Sequence, residues 1–308
     1  MSIFLVTGAS RGLGRSIVTA ALAAGHQVVA GVRDVHALDD LVLAAGAGPS
    51  PAGADPSPAG TDPATSPAGT LVPVALDVTD PEAARAAVRT AVDRFGRLDV
   101  LVNNAGYANL ASIEDVDPDD FRAQVETNLF GVVTLSREAV HVMREQGSGH
   151  IVQVSSVGGR MATPGLGAYQ TAKWAVGGFS SVLAKEVAPL GVRVTVLEPG
   201  GMRTDWAGSS MRVAPVRPEY ESTVGVSARM HEGTSVGASD PDLVAGLVLG
   251  VVAMDEPPLR LLVGPDAFEH GTAAGRTLLA EDERHEALSR STQAADATPE
   301  QLDPLAHA

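Results

Sequence analysis

The sequence contains no cysteine among its 308 residues. A disulfide framework, a thiolate nucleophile and a zinc site with cysteine ligands are therefore excluded. The eight histidines show no paired spacing with nearby acids, so we expect no metal site built on them. Any chemistry has to come from other side chains or from a bound organic cofactor.

Positive charge is scarce. Lysine and arginine number 22 against 37 acidic residues, which gives a formal net charge of -15. Such a protein repels phosphate backbones and anionic lipid heads, so we expect neither nucleic acid nor a membrane surface as a partner. An anionic cofactor would have to be held by local features of its site.

Long hydrophobic runs are also missing, and none reaches the length needed to cross a bilayer. The first residues, 1–6, lack the basic start and the long apolar stretch of a secretory signal. We therefore expect a cytoplasmic protein. The hydrophobic fraction of 44% is enough for a sizeable core, either in one large domain or in two small ones.

Short apolar runs alternate with longer segments of helical period. The short runs are apolar at consecutive positions, as in strands that are covered on both faces. This alternation predicts an α/β fold, a doubly wound parallel sheet of about seven strands with helices on both faces. The predicted strands are 3–7, 27–31, 74–76, 100–102, 151–155 and 192–197, and the predicted helices are 15–24, 81–95, 121–144 and 168–188.

The motif order favours a single domain over 1–288, with two interruptions. Residues 44–70 contain Ser-Pro-Ala-Gly three times, which is a composition that cannot bury enough apolar surface to order itself. We interpret this segment as a flexible surface insertion, with a docking segment for a partner as the alternative. Residues 205–240 do not follow the alternation of strand and helix patterns, and we predict that they form a substrate lid. Residues 289–308 are predicted to form a flexible tail.

A glycine-rich loop, Thr7-Gly8-Ala9-Ser10-Arg11-Gly12-Leu13-Gly14, joins the first strand to an alanine- and leucine-rich helix. Gly8 permits a tight turn, while Gly12 and Gly14 allow backbone and helix to approach a pyrophosphate at the positive helix end. A purely structural glycine turn is the alternative. The strand before and the helix after favour a Rossmann-type dinucleotide site, formed by Gly8, Ser10, Arg11, Gly12, Leu13 and Gly14.

The end of the second strand indicates which dinucleotide is bound. An acid there would accept hydrogen bonds from the adenosine ribose, but the strand ends without one and Arg33 follows. With Arg11 in the glycine loop, two guanidinium groups could flank a 2′-phosphate, which favours NADP(H). In the alternative interpretation Arg33 pairs with Asp34 or points to solvent, and Asp34 reaches the ribose.

Tyr169 and Lys173 are four residues apart in a predicted helix, so their side chains share one face. An ammonium beside a phenol favours its ionised form, and an unperturbed tyrosine pKa of about 10 is too high for ready proton exchange at neutral pH. Ser155 and Ser156 end a buried strand upstream of this pair. The combination indicates proton transfer by a phenol that the lysine tunes.

Taken in order, these motifs resemble the short-chain dehydrogenase/reductase family over residues 3–204. The glycine spacing of Thr7–Gly14 is similar to the family's shorter layout. Asp77-Val78 resembles the pair that contacts adenine, and Asn103-Asn104-Ala105-Gly106 resembles the motif after the fourth strand, with Asn104, Ala105 and Gly106 at the cofactor. Each of these pieces has a structural alternative, such as a capping acid or a turn former.

The resemblance implies an NADP(H)-dependent oxidoreductase that moves hydride between the nicotinamide and a ketone or secondary alcohol. It implies a catalytic tetrad in which Tyr169 is the general acid and base, Ser156 rather than Ser155 holds the substrate oxygen, Lys173 also bonds the nicotinamide ribose, and Asn128 holds a water that passes protons to Lys173.

A turn at Pro199-Gly200, followed by Thr204, resembles the segment that closes over the nicotinamide amide. Thr204 could instead cap a short helix. Family members usually pair through the helices that correspond here to 121–144 and 168–188, so we expect a homodimer or homotetramer.

Apolar residues in the predicted lid and in the loop 161–166 favour a hydrophobic or aromatic small-molecule substrate; those of the lid are Trp206, Met211, Val213 and Met230. Residues 257–267 resemble the C-terminal part of the branch with 17β-hydroxysteroid and retinol-type dehydrogenases. Two alternatives stay open: a catalytically silent NADP-binding regulatory or scaffold protein, and an epimerase or dehydratase with bound NAD.

Overall fold

The computed structural model describes residues 1–46, 69–204, 211–232 and 237–303. Its centre is one sheet of seven parallel strands in the order β3-β2-β1-β4-β5-β6-β7. The predicted doubly wound α/β fold is therefore confirmed. The strands are β1 Ile3–Thr7, β2 Gln27–Val32, β3 Leu71–Ala75, β4 Val100–Asn103, β5 Gly149–Val154, β6 Val192–Pro199 and β7 Arg260–Val263.

Helices cover both faces of this sheet. One face packs against α1 and α8, and the other against α3, α5 and α6, each with its own cluster of buried apolar side chains. The helices are α1 Gly12–Ala23, α2 Asp39–Gly46, α3 Pro81–Phe95, α4 Pro118–Val125, α5 Gly131–Gln146, α6 Gly167–Val187, α7 Val224–Glu232, α8 Pro241–Ala253, α9 Pro265–Arg284, α10 Glu286–Arg290 and α11 Pro299–Leu302.

The strand β1 shows why the apolar runs are continuous. Phe4 and Val6 enter the cluster on one face, while Ile3 and Leu5 enter the cluster on the other. Because successive side chains of a strand point to opposite faces, a strand between two helix layers needs an apolar residue at every position.

The strand order also places the functional end of the sheet. β1 pairs in parallel with β2 on one side and with β4 on the other, so the order reverses at β1. In open α/β sheets the crevice at such a reversal, beyond the carboxyl ends of the strands, is where ligands bind. The glycine loop after β1 and the asparagine motif after β4 both lie there.

The helix predicted over 121–144 is interrupted. α4 and α5 are separated by a five-residue π-helical turn, Glu126–Phe130. The Asn128 side chain explains the interruption, because its amide nitrogen donates to the carbonyls of Gln124 and Tyr107, each at 2.8 Å. Such π-turns inside α-helices are frequent at functional sites.

The third strand is longer and earlier than predicted, at Leu71–Ala75 rather than 74–76. It is an edge strand, paired with β2 only. Edge strands tolerate a proline, and Pro73 lies inside this one. The proline masks the strand pattern in the sequence.

The predicted insertion, lid and tail fall partly outside the described residues and stay predictions. Of the segment 44–70, residues 47–68 lie outside. The described part of 205–240 contains α7, and the described part of 289–303 contains α11 and is almost entirely exposed. No helix within the described ranges is long and apolar enough to span a membrane.

Candidate active site

A cavity of about 1190 Å³ opens at the carboxyl end of the sheet. It brings together segments that are far apart in the sequence, from the glycine loop to α9. All of the predicted site residues except Gly14 line it, namely Gly8, Ser10, Arg11, Gly12, Leu13, Arg33, Asp77, Val78, Asn104, Ala105, Gly106, Asn128, Ser156, Tyr169, Lys173, Pro199, Gly200 and Thr204.

The glycine loop after β1 is shaped by backbone conformation and close packing. Gly8 and Gly12 have φ of +64° and +53°, in the left-handed region that favours glycine. Gly14 is buried behind the loop, where a Cβ would overlap the Gly8 carbonyl oxygen and come within 2.5 Å of Asn104 Nδ2. Asn104 in turn donates to the Thr7 carbonyl at 2.9 Å and holds the loop against the end of β4.

The N-terminus of α1 faces this cavity. Arg11 is its N-cap residue, and no side chain in the described part of the chain caps the first turn. The first N–H groups of a helix have no intrahelical partner and carry a positive partial charge, so they suit an anionic group. Since Gly8 and Gly12 also line the cavity, this arrangement fits the pyrophosphate of a dinucleotide.

Two exposed arginines, Arg11 and Arg33, line the adenosine end of the cavity. Asp34, the acid of the alternative interpretation, accepts a hydrogen bond from the His36 backbone N–H at 3.0 Å and is not among the described residues that line the cavity. Hydrogen bonds from the backbone and hydroxyl of Thr79 lower the pKa of Asp77, and the charge of Arg33 adds to the effect.

Tyr169 and Lys173 project from one face of α6, as their spacing predicts. The Lys173 ammonium lies over the Tyr169 ring, 5.6 Å from its centroid, and donates to the Val154 carbonyl at 2.8 Å. The Ser156 hydroxyl is hydrogen-bonded to the Tyr169 phenol. Ser155 instead donates to the backbone carbonyl of Lys173 at 3.2 Å. Of the two serines, Ser156 is thus the one at the phenol.

The electrostatics of this pair differ from the expectation. Burial raises the pKa of Tyr169 to about 12, although its hydrogen bond with Ser156 works in the opposite direction. Burial also lowers the pKa of Lys173 to about 8. The lysine lies over the ring and bonds a carbonyl, so desolvation outweighs its attraction for the phenolate. At neutral pH the phenol keeps its proton.

Asn128 is completely buried. Its amide donates to the carbonyls noted above, and its oxygen accepts from the Tyr107 backbone N–H at 3.2 Å. At Gly106 a Cβ would come within 2.5 Å of the Asn128 oxygen and 3.6 Å of the Lys173 nitrogen. A glycine is therefore needed where this amide and this ammonium approach each other.

The turn after β6 is held by a residue that sequence reasoning missed. Asp266, in the first turn of α9, accepts a hydrogen bond from the Gly201 N–H at 2.7 Å. Any side chain at Gly200 would overlap its carboxylate. Thr204 packs near the glycine loop, with its Cβ 3.4 Å from the Cβ position of Gly12. The turn and Asp266 are far apart in the sequence, so no local pattern could predict this contact.

A buried ion-pair group, also missed, supports the segment after Ser156. The side chain of Glu198 on β6 is fully buried between Arg160 and Arg260, whose Nε atoms donate to it at 2.6 and 3.0 Å. Arg160 lies at the end of the loop that begins at Ser156. The group therefore ties this loop to β6 and β7.

The substrate end of the cavity is mixed rather than apolar. Met161, Leu166 and Met230 line it, as expected from the sequence. Met211 packs against a small separate cluster of apolar side chains, and Val213 is partly exposed. Neither is among the described residues that line the cavity. Trp206 lies outside the described residues. Polar residues that the sequence analysis did not single out also line this end: Tyr107, Asn109, Gln170, Arg212 and Ser227.

The described residues contain no group of three or more histidine, cysteine or acidic side chains that could hold a metal ion.

Comparison with known proteins identifies the family. The model of the short chain dehydrogenase family matches residues 60–213. The chain belongs to the short-chain dehydrogenase family. The family resemblance of the sequence motifs is thus confirmed, and the chain is an oxidoreductase with a fold that binds a nicotinamide cofactor.

Three similar proteins illustrate this membership of the short-chain dehydrogenases. Oxidoreductase BOA17 of Botryotinia fuckeliana is 50% identical over 93% of this chain and 97% of its own length. A 3-alpha-(or 20-beta)-hydroxysteroid dehydrogenase of Mycobacterium bovis is 36% identical over 83% of this chain and 95% of its own. The crystal structure of a short-chain dehydrogenase from Streptomyces avermitilis has a TM-score of 0.83 and 34% identity, and covers 95% of this chain and 100% of that one.

Proposed function

We propose that this short-chain dehydrogenase is an NADP(H)-dependent oxidoreductase that transfers hydride between the nicotinamide and a ketone or secondary alcohol. One observation carries the proposal: Tyr169, Ser156 and Lys173 meet on the wall of the same cavity that the glycine loop opens into. A proton donor thus stands beside a dinucleotide site. The reaction class needs these two features side by side.

The cofactor, when bound, supplies or takes up the hydride at the substrate carbon. In reduction the Tyr169 hydroxyl gives its proton to the substrate oxygen, and in oxidation it takes that proton back. A pKa of about 12 keeps this proton in place at neutral pH. Ser156, already bonded to the phenol, orients the substrate oxygen toward it.

Lys173 stabilises the phenolate that reduction leaves behind. With a pKa of about 8 it is largely protonated at neutral pH, so its charge lies over the ring when the negative charge develops. In the proposed roles, Lys173 also bonds the nicotinamide ribose, and Asn128 holds a water that returns a proton to the lysine. The Asn128 oxygen and the Lys173 nitrogen both lie near Gly106, which supports this relay.

A ketone screen with NADPH and NADH tests the reaction class. We expect Tyr169→Phe to lower kcat/KM by about 10²- to 10⁴-fold, the usual contribution of a general acid, while NADPH binding measured by fluorescence is retained. A wild-type protein that binds NADPH but reduces no ketone would favour the silent scaffold alternative. Purification with tightly held NAD would favour the epimerase or dehydratase alternative.

The preference for NADP(H) rests on Arg11 and Arg33 at the adenosine end and on Asp34 being engaged by His36. We expect Arg33→Asp to lower kcat/KM for NADPH by about tenfold or more and to leave NADH almost unchanged, because a charge-assisted contact to the phosphate is lost. Arg122→Asp is the matched control, because Arg122 is an exposed arginine that does not line the cavity. An equal loss for both coenzymes would show that Arg33 does not read the phosphate.

The substrate we propose is hydrophobic, of a steroid-like, polyketide or aromatic kind. Met161, Leu166 and Met230 supply apolar wall, and one relative is named a hydroxysteroid dehydrogenase. We also propose a cytoplasmic homodimer or homotetramer. Trp174 and Val182 of α6, which are 46% and 58% exposed, support pairing along this helix. Light scattering measures the oligomeric state directly.

A further inference from the structure

Gln170, the residue after Tyr169 in α6, has a side chain without a role in the proposed reaction. It lines the cavity and is only 7% exposed. Removing a carboxamide from water costs free energy unless both of its ends find hydrogen-bond partners. The partners of its two ends therefore indicate what the side chain is for.

The oxygen end of Gln170 is occupied. Its Oε1 accepts a hydrogen bond from the Thr163 backbone N–H at 2.8 Å. A backbone N–H can only donate, so this bond identifies the oxygen end of the amide and leaves the two N–H groups on the opposite side. The loop that carries Thr163 thereby fixes the direction in which the side chain donates.

The nitrogen end of Gln170 and the Ser156 hydroxyl both lie close to Gly158. The position that a Cβ of Gly158 would take is 3.0 Å from Gln170 Nε2 and 3.3 Å from Ser156 Oγ. The two polar groups thus flank one small space, which a glycine at 158 keeps open. Within the described ranges, the side chain of Gln170 makes one hydrogen bond, the one from Thr163, so none of the described residues accepts from its nitrogen.

We propose that Gln170 determines substrate specificity by donating a hydrogen bond to a second oxygen of the substrate. The inference rests on the proposed function, because the reacting carbonyl oxygen is placed at Tyr169 and Ser156. A donor next to Ser156 is then within reach of an oxygen on the α or β carbon. The substrate class is ketones with such an oxygen: diketones, keto esters and the corresponding hydroxy compounds.

The same geometry disfavours a simple ketone, one without a second oxygen near the carbonyl. Once it fills the cavity, it leaves the amide N–H groups on the cavity wall without an acceptor, and sites built to bond a polar group reject analogues that lack it. The apolar part of the wall still accepts the remainder of either substrate. Gln170 therefore adds a polar requirement beside the apolar part of the wall.

Matched ketones test this inference: ethyl benzoylacetate against butyrophenone, and 1-phenyl-1,2-propanedione against propiophenone. The measured quantity is the ratio of kcat/KM within each pair, compared between variants so that intrinsic reactivity cancels. Gln170→Met removes both ends of the amide. Gln170→Glu, assayed at pH 8, keeps the acceptor for Thr163 but replaces the donor. We expect both to lower the ratio by about tenfold, the effect of one lost hydrogen bond.

Gly158→Ala provides an independent test, because its methyl group would fill the space between Gln170 Nε2 and Ser156 Oγ. It should lower the ratio in the same direction, and it remains informative if Gln170→Met fails to fold. Melting temperature and NADPH affinity are measured for every variant.

Three results would overturn the inference: a ratio that no variant changes, an equal loss for both members of a pair, or a change in Gln170→Met alone, which would assign the effect to the Thr163 contact. A wild-type enzyme that reduces the simple ketones, with ratios independent of Gln170, refutes only the specificity. A wild-type protein that reduces no ketone with either coenzyme refutes the proposed function itself.

Discussion

At the scale of single residues, Lys173 is the group whose titration should control the rate. Its pKa is lowered to about 8 by burial, whereas that of Tyr169 is raised to about 12. Below pH 8 both groups carry their protons, as reduction requires. Above pH 8 the lysine loses its charge while the phenol still keeps its proton.

We therefore expect kcat/KM for ketone reduction to be level at neutral pH and to fall about tenfold per pH unit above pH 8. A stopped-flow or steady-state pH profile measures this. Lys173→Met should lower the rate and remove the inflection. An inflection that persists in Lys173→Met would mean that another group controls the profile.

The proximity of the proposed catalytic residues could be predicted because their spacing has a simple geometric meaning. Tyr169 and Lys173 are four apart on a helix, and Ser156 follows the carboxyl end of a buried strand. Their pKa values could not be predicted in direction, because the cost of desolvation depends on burial. Burial is a property of the packed structure, and the sequence does not report it.

At the scale of secondary structure elements, we expect the contact between α1 and the glycine loop to control cofactor binding. Gly14 has no room for a Cβ, since it would meet the Gly8 carbonyl and the Asn104 amide. Gly14→Ala should push the helix away from the loop. We expect a loss of about 1–3 kcal/mol in the free energy of unfolding, typical of overpacking, together with weaker NADPH binding in a fluorescence titration.

Gly250→Ala on α8 is the matched control. It is also a helical glycine, but nothing lies within 4 Å of the Cβ that the substitution adds. We expect it to stabilise the protein by about 0.5–1 kcal/mol, the helix propensity difference, and to leave NADPH binding unchanged. Equal behaviour of the two variants would refute the packing role of Gly14.

The π-turn between α4 and α5 shows the limit of pattern recognition at this scale. The apolar periodicity predicts one continuous helix over 121–144, whereas the structure has a five-residue π-turn inside it. What breaks the helix is the Asn128 amide, which bonds the Tyr107 carbonyl in another part of the chain. A local pattern cannot report a hydrogen bond to a distant segment.

At the scale of the whole molecule, a buried histidine should make stability depend on pH. His150 on β5 is almost fully buried, its Nε2 bonds the Thr195 hydroxyl at 2.9 Å, and its Nδ1 has no partner in the described residues. Burial, followed by the charge of Arg193, lowers the pKa of His150 from 6.5 to about 4. The folded state therefore holds the neutral ring, whereas the unfolded state takes up a proton below pH 6.5.

The contribution of this group is fully present above pH 6.5 and is lost as the pH falls toward 4. We expect it to lower the free energy of unfolding by about 3 kcal/mol over that range, measured by urea denaturation at a series of pH values. His150→Leu should flatten the dependence by that amount, while the exposed His141→Leu should not. Parallel curves for wild type and His150→Leu would contradict the assignment.

The sequence by itself determined the doubly wound sheet, the dinucleotide loop and the Ser-Tyr-Lys set. Each of them follows from a local pattern in the sequence: apolar runs, glycine spacing, and two side chains one helical turn apart. The tertiary structure alone decided the support and the lining of the site. Asp266 under the Pro199-Gly200 turn, the Arg160–Glu198–Arg260 group and the inward-facing amide of Gln170 join segments that only folding brings together. Local sequence patterns are enough to predict the first group of features. The second group depends on burial and on contacts between distant segments, which only the folded structure provides.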